Sequence, residues 1–151
     1  MKEYALLTDQ IRMILGQKGE KALQEVVNSL QKNINHYNWV GIYFVQKNLL
    51  HLGPWAGPRA TEHTTIPIGQ GICGSAAKTG KTEIIPDVQA DSRYLACFLS
   101  TKSEIVVPIR FNQEIIGEID IDSDQQDAFT TDDEHFLETV ANMLGPYIHK
   151  L

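Results

Sequence analysis

Only two cysteines occur in the 151 residues, Cys73 and Cys97, too few for a disulfide scaffold and too far apart for a paired-cysteine metal knuckle. Both are expected to begin as thiols. The five histidines, His36, His51, His63, His135 and His149, show no ligand spacing on a helix face, so no structural metal is expected. The 13 basic residues are scattered among 19 acidic ones, and a formal net charge of −6 with a pI near 5.3 argues against a nucleic-acid partner, whose phosphates demand clustered basic charge. No apolar run approaches the roughly 20 residues that cross a bilayer, and the N-terminus lacks a basic segment followed by an apolar stretch. No membrane association and a cytoplasmic location are therefore expected. Repeats, linkers and low-complexity stretches are also missing, and a hydrophobic content of 42% suffices for one core. One domain spanning residues 1–151 is expected.

What is present reads as alternating order. Tyr4, Leu7, Ile11 and Ile14 recur three and four apart, and Leu23, Val26, Val27, Leu30 and Ile34 repeat the pattern, which predicts two amphipathic helices. The aromatic and β-branched run from Trp39 to Val45 predicts a buried strand, with a turn at Asn48 and a return strand from Leu49 to about Trp55. Short strands are expected at Thr64–Ile68 and Thr82–Ile85, flanking a glycine-rich turn at Gly69, Gly71 and Gly74 that opens a short helix ending near Gly80. Pro86–Ser103 is a long polar excursion of the kind that serves binding or closure. Ile105–Phe111 and Ile115–Ile121 form the clearest hairpin, turning at Asn112-Gln113. A capping box from Thr131 to Glu134 starts a last helix carrying Phe136, Leu137, Val140, Ala141, Leu144 and Ile148, whose end Gly145-Pro146 should kink or fray. The fold class is α/β in the α+β sense: a central, mainly antiparallel sheet of about six strands with the terminal helices packed on one face.

Chemistry concentrates in a few residues. Gly69-x-Gly71-x-x-Gly74 matches a dinucleotide fingerprint, but no βαβ unit surrounds it, so the favoured reading is a helix start whose backbone amides receive an anionic or oxygen-rich ligand. Strand alternation puts Ile115, Gly117, Ile119 and Ile121 on one face and Glu118, Asp120 and Asp122 on the other. On a solvated face these acids are ordinary surface charges. Glu104 could join them, yet a strict two-residue turn pairs it with Ile121 and points it away, so convergence needs a bulge, a longer turn or a loop position. Cys73 lies beside the glycine-rich turn, where a small buried hydrophobe is the plain alternative to a reactive thiol. Cys97 lies in the long excursion and is the better candidate nucleophile.

The segments Asn38-Trp39-Val40-Gly41-Ile42-Tyr43, Gly53-Pro54-Trp55, Ile66-Pro67-Ile68-Gly69-Gln70-Gly71-Ile72-Cys73-Gly74, Pro86-Asp87-Val88, Ser103-Glu104-Ile105-Val106-Val107-Pro108 and Gly117-Glu118-Ile119-Asp120-Ile121-Asp122-Ser123 together resemble the GAF-domain family. Within that family they resemble the free methionine-(R)-sulfoxide reductases. The resemblance runs from about Asn38 to Phe129. It implies a GAF-like six-stranded sheet, reduction of free methionine-(R)-sulfoxide through a cysteine sulfenic acid and a disulfide, thioredoxin as reductant, and no cofactor. The apolar faces of the first and last helices suggest a homodimer through helix packing, as similar domains often use, the alternative being that both stripes pack within the chain. The resemblance further implies that Cys97 is the catalytic cysteine and Cys73 the resolving one. Glu104, Asp120 and Asp122 would hold the amino group and sulfoxide oxygen, and Trp39 and Tyr43 would wall the methyl-sulfur end. His63 stands where the family usually has a third cysteine, and Phe98 follows Cys97, as in non-catalytic sensor modules. A redox-responsive sensor or small-ligand-binding module is accordingly the alternative reading.

Overall fold

The computed structural model describes residues 2–17, 19, 21–95 and 98–151; Ala96 and Cys97 lie outside the described residues. In chain order the elements are α1 (Lys2–Gly16), α2 (Lys21–Asn33), β1 (Trp39–Gln46), β2 (Leu49–Ala56), β3 (Thr65–Pro67), α3 (Gly71–Thr79), β4 (Glu83–Ile85), β5 (Ser103–Phe111), β6 (Glu114–Ser123) and α4 (Thr131–His149). The strands form one six-stranded sheet in the order β3-β2-β1-β6-β5-β4, with antiparallel pairing at every step. The expected architecture is therefore present. Both tight hairpins turn through paired residues of positive φ, Lys47-Asn48 and Asn112-Gln113, the geometry whose twist matches that of the strands it joins.

The sheet carries a different core on each face. On one, Val40, Ile42, Ile105, Val107, Ile109, Ile119 and Ile121 pack under α1, α2 and α4. On the other, Trp39, Tyr43 and Val106 pack with Ile72, Cys73, Ala76 and Ala77 of α3. Period-two alternation along β1, β5 and β6 thus serves two apolar layers, and the second layer is where acids intrude. The stripes of α1 and α4 meet within the chain: Tyr4 stacks on Phe136 with ring centroids 4.7 Å apart, and Leu7 and Ile11 are buried.

Three local expectations are corrected. The β5–β6 register shifts between Ile109, which faces Gly117, and Arg110, which faces Ile115, so Ile116 is the extra residue of a β-bulge. Ile116 rather than Ile115 consequently packs with the core under the terminal helices. The helix α4 begins one residue earlier than expected, with Thr130 as N-cap and Asp133 closing the capping box in place of Thr131 and Glu134. Its end does not fray at Gly145-Pro146 but continues to His149. The glycine is needed for packing: a Cβ at Gly145 would collide with the carbonyl oxygen of Arg110 beside the bulge.

Candidate active site

β1, β6 and β5 lie side by side, and three successive rungs across them build the floor of the site. Trp39 pairs with Asp122, which pairs with Glu104; Gly41 pairs with Asp120, which pairs with Val106; Tyr43 pairs with Glu118, which pairs with Pro108. The bulge at Ile116 sets this alignment. Without it Glu104 would face Ile121 and point into the opposite core, so one inserted residue turns a lone acid into part of a cluster.

The second layer buries all of these acids. Glu104 is 5% exposed, Glu118 0%, Asp120 3% and Asp122 3%. The Cys73 Sγ of α3 lies 3.9 Å from Glu104 Oε2, and the Thr101 hydroxyl lies 3.5 Å from Asp122 Oδ2. Among the described residues, Asp120 Oδ1, Asp122 Oδ1 and both carboxyl oxygens of Glu118 have no hydrogen-bond partner. Burial drives the consequences. It lifts the Glu118 and Asp122 carboxyls well above their usual range, with the neighbouring Asp120 charge adding to both, and it raises Asp120 against hydrogen bonds from Glu104 and Cys73 that act the other way. Burial, then the four surrounding acids, pushes the Cys73 thiol well up.

A small cavity of about 20 Å³ opens onto this cluster, lined by Tyr43, His63, Ile66, Ile72, Cys73, Leu95, Glu104 and Asp120. The sequence-derived residues therefore divide. Tyr43, Cys73, Glu104 and Asp120 line the cavity; Trp39 and Asp122 occupy the adjoining rung, with the Trp39 ring 6.2 Å from Trp55 and 6.1 Å from Phe98. Cys97 lies outside the described residues. His63 reaches the cavity wall, and its carbonyl accepts a 2.7 Å hydrogen bond from the Tyr43 hydroxyl. The start of α3 opens under Leu95, whose side chain packs against the position a Cβ of Gly71 would take. Within the excursion between β4 and β5 Arg93 pairs with Asp91 at 2.8 Å and ties the segment to the sheet through Glu83 of β4 at 2.9 Å, and its hydrogen bonds hold the Asp91 carboxyl below its ordinary range.

Glu118 was visible in the sequence as sharing a face with Asp120 and Asp122, but not as a member of the site. Its burial depends on α3 lying across β6. A carboxyl whose folded-state pKa is raised destabilises the fold as pH climbs above the unfolded value of about 4.3, because only the unfolded chain then ionises freely. Glu118→Gln keeps the shape and removes that cost. It is expected to stabilise the protein by on the order of 2 kcal/mol at pH 7 and by close to nothing at pH 3.5, read from urea midpoints at the two pH values. A gain that is equal at both would show that ionisation is not its source.

An antiparallel sheet with helices on both faces, and with acids and a thiol enclosed beneath α3, defines an α+β class. The chain belongs to the GAF domain family, whose model matches residues 19–148. It is 43% identical over 112 residues to the free methionine-R-sulfoxide reductase of Saccharomyces cerevisiae, covering 72% of this chain and 61% of that protein. A type II free methionine-R-sulfoxide reductase from Thermoplasma acidophilum superposes with a TM-score of 0.83 at 37% identity, covering 95% and 96% of the two chains. A protein from Burkholderia vietnamiensis designated a putative GAF sensor superposes with a TM-score of 0.88 at 29% identity over 97% and 93% of the two chains.

Proposed function

We propose that this protein reduces free L-methionine-(R)-sulfoxide to methionine, using Cys97 as nucleophile, Cys73 as resolving thiol and thioredoxin as final reductant. The observation that carries the reading is the bulge-aligned cluster of buried acids, closed by the Cys73 thiol and opening onto a cavity with an aromatic and aliphatic side. Relatives named as reductases of this sulfoxide support it.

The chemistry follows from the environments. A carboxyl group kept neutral by burial shares its proton with the sulfoxide oxygen, making sulfur electrophilic. An ionised neighbour in the same cluster receives the substrate ammonium group, and the first-turn amides of α3 face its carboxylate. Tyr43, Ile66 and Ile72 supply the apolar side, with Trp39 behind Tyr43. The thiolate attacks sulfur, the oxygen passes to the cysteine as a sulfenic acid, and methionine leaves. Condensation with the Cys73 thiol releases water and forms a disulfide, which a dithiol reductant then opens. The enclosed space holds about one water, so admitting a substrate many times larger requires Leu95, which lines it, to draw back.

Purified protein supplied with thioredoxin and its reductase is expected to consume free (R)-sulfoxide and to spare the peptide-bound form, followed by chromatography of released methionine. Absence of consumption with both thioredoxin and dithiothreitol refutes the reading. The second reading, a redox-responsive sensor, is favoured by His63 at the cavity wall and by Phe98 packed near Trp39. It predicts stoichiometric binding of a small polar ligand that is recovered chemically unchanged. A homodimer would use Leu6 and Met13 of α1, which are 62% and 70% exposed, and light scattering at twice the 16.9 kDa chain mass is its sign.

A further inference from the structure

Cys73 Sγ and one carboxyl oxygen each from Glu104 and Asp120 lie within 4.8 Å of one another, and all three residues are buried. They come from three different elements, α3, β5 and β6, so no spacing in the sequence announces the set. We propose that these three side chains form a binding site for a single soft divalent cation of the zinc class, inside the cavity, with water completing the coordination.

Four features support the assignment independently of any sulfoxide chemistry. The first is distance. Bond lengths of about 2.3 Å to sulfur and about 2.0 Å to oxygen separate two ligands by roughly 3.5 Å across a tetrahedral zinc centre. The observed 3.9 Å from Cys73 Sγ to Glu104 Oε2 needs only a small contraction. The second is unmet bonding capacity: Asp120 is 3% exposed, lines the cavity, and has an oxygen, Oδ1, without a hydrogen-bond partner among the described residues. The third is size. A space of about 20 Å³ has room for one water beside an ion seated among the three ligand atoms themselves. The fourth is charge: no lysine or arginine is among the described residues that line the cavity, while Glu118 and Asp122 stand on the flanking rungs as additional buried acids.

The donor set selects the metal. One thiolate with two carboxylates suits zinc, whereas calcium and magnesium require six or more oxygen ligands or a retained shell of waters. On binding, the Cys73 thiol gives its proton to solvent and no oxidation state changes. A cation held there occupies the carboxylates that an incoming ammonium group would need, so it excludes that ligand.

The test uses the full-length protein, reduced and stripped of metal, titrated with Zn²⁺ in competition with a chromophoric chelator. One Zn²⁺ per chain is expected, with no response to Mg²⁺. Cys73→Ser and Asp120→Asn, both of conserved shape, are each expected to weaken binding on the order of 100-fold or more. Co²⁺ provides a second readout, a thiolate-to-metal charge-transfer absorption present in the wild type and absent in Cys73→Ser. Thermal melts of the metal-free variants establish that they are folded. Failure of the wild type to compete with the chelator, or undiminished binding in either variant, overturns the site. Because no sulfoxide is used, a protein that binds zinc but reduces nothing refutes the reductase reading alone, and one that reduces without binding zinc refutes this proposal alone.

Discussion

Serine in place of Cys97 is expected to lower reduction of free methionine-(R)-sulfoxide by at least about a thousandfold, whereas Cys73→Ser should still release one equivalent of methionine per chain and then stall with thioredoxin. The reason lies in the surroundings of the Cys73 sulfur. Cys73 is 6% exposed, and burial together with Asp120, Glu118, Glu104 and Asp122 keeps its proton in place. Thiolate is the attacking species, so Cys73 is a poor initiator and suits the later step, in which a sulfenic acid rather than a sulfoxide is the partner. With dithiothreitol the variant lacking Cys73 should turn over repeatedly, since a small thiol reaches the sulfenic acid directly. Methionine released in a single turnover, with the cysteine oxidation state followed by mass spectrometry, separates the roles. A Cys97→Ser protein that retains turnover, or a Cys73→Ser protein without the first equivalent, would reverse the assignment.

The sequence declared the elements but not their exact register. Periodicity along Leu23 to Ile34 and along Phe136 to Leu144 marks helices because their cores are continuous stripes, and alternation along β6 separates acids from isoleucines because two different layers cover the sheet. Glu104 was undecidable. Its direction depends on the extra residue at Ile116, which sits opposite the place where Gly145 of α4 meets the Arg110 backbone. That is a tertiary contact, and no local propensity at Asn112-Gln113 encodes it. The burial of Glu118 and the gathering of Cys73 with Glu104 and Asp120 have the same origin, the placement of α3 across β5 and β6, which joins residues 31 and 47 positions apart. The start of α4 shows the limit at a finer scale. Thr130 with Asp133 and Thr131 with Glu134 both satisfy the capping spacing, and the choice is made by what waits for the acid.

What waits for Asp133 is a set of donors from three parts of the chain, and this makes Asp133→Asn the substitution with the largest expected cost in stability. One oxygen accepts hydrogen bonds from the Tyr4 hydroxyl at 2.7 Å, the Tyr37 hydroxyl at 2.7 Å and lies 2.9 Å from His36 Nε2; the other accepts from the Thr130 amide at 2.9 Å. Tyr4 belongs to α1, His36 and Tyr37 to the α2–β1 connection, and Thr130 to the cap of α4, so a single carboxylate, 1% exposed, joins three elements over the terminal-helix core. Burial alone would push this carboxyl up, but the hydrogen bonds from His36, Thr130, Tyr4 and Tyr37 outweigh it and hold the group well below the usual carboxylate range. An amide presents N–H groups where Asp133 accepts, which leaves buried donors opposed and weakens the cap. A loss of about 3 kcal/mol at pH 7 is expected from breaking such a buried set. The sign of its pH dependence follows from the lowered value: the contribution is complete above the unfolded carboxyl's pKa of about 3.9 and drains away as acid protonates the folded group. The wild type should therefore exceed Asp133→Asn most at neutral pH and by progressively less below pH 4, measured as the difference between urea unfolding free energies. A constant difference across that range would mean that the carboxylate's charge contributes nothing and that shape alone accounts for the cost.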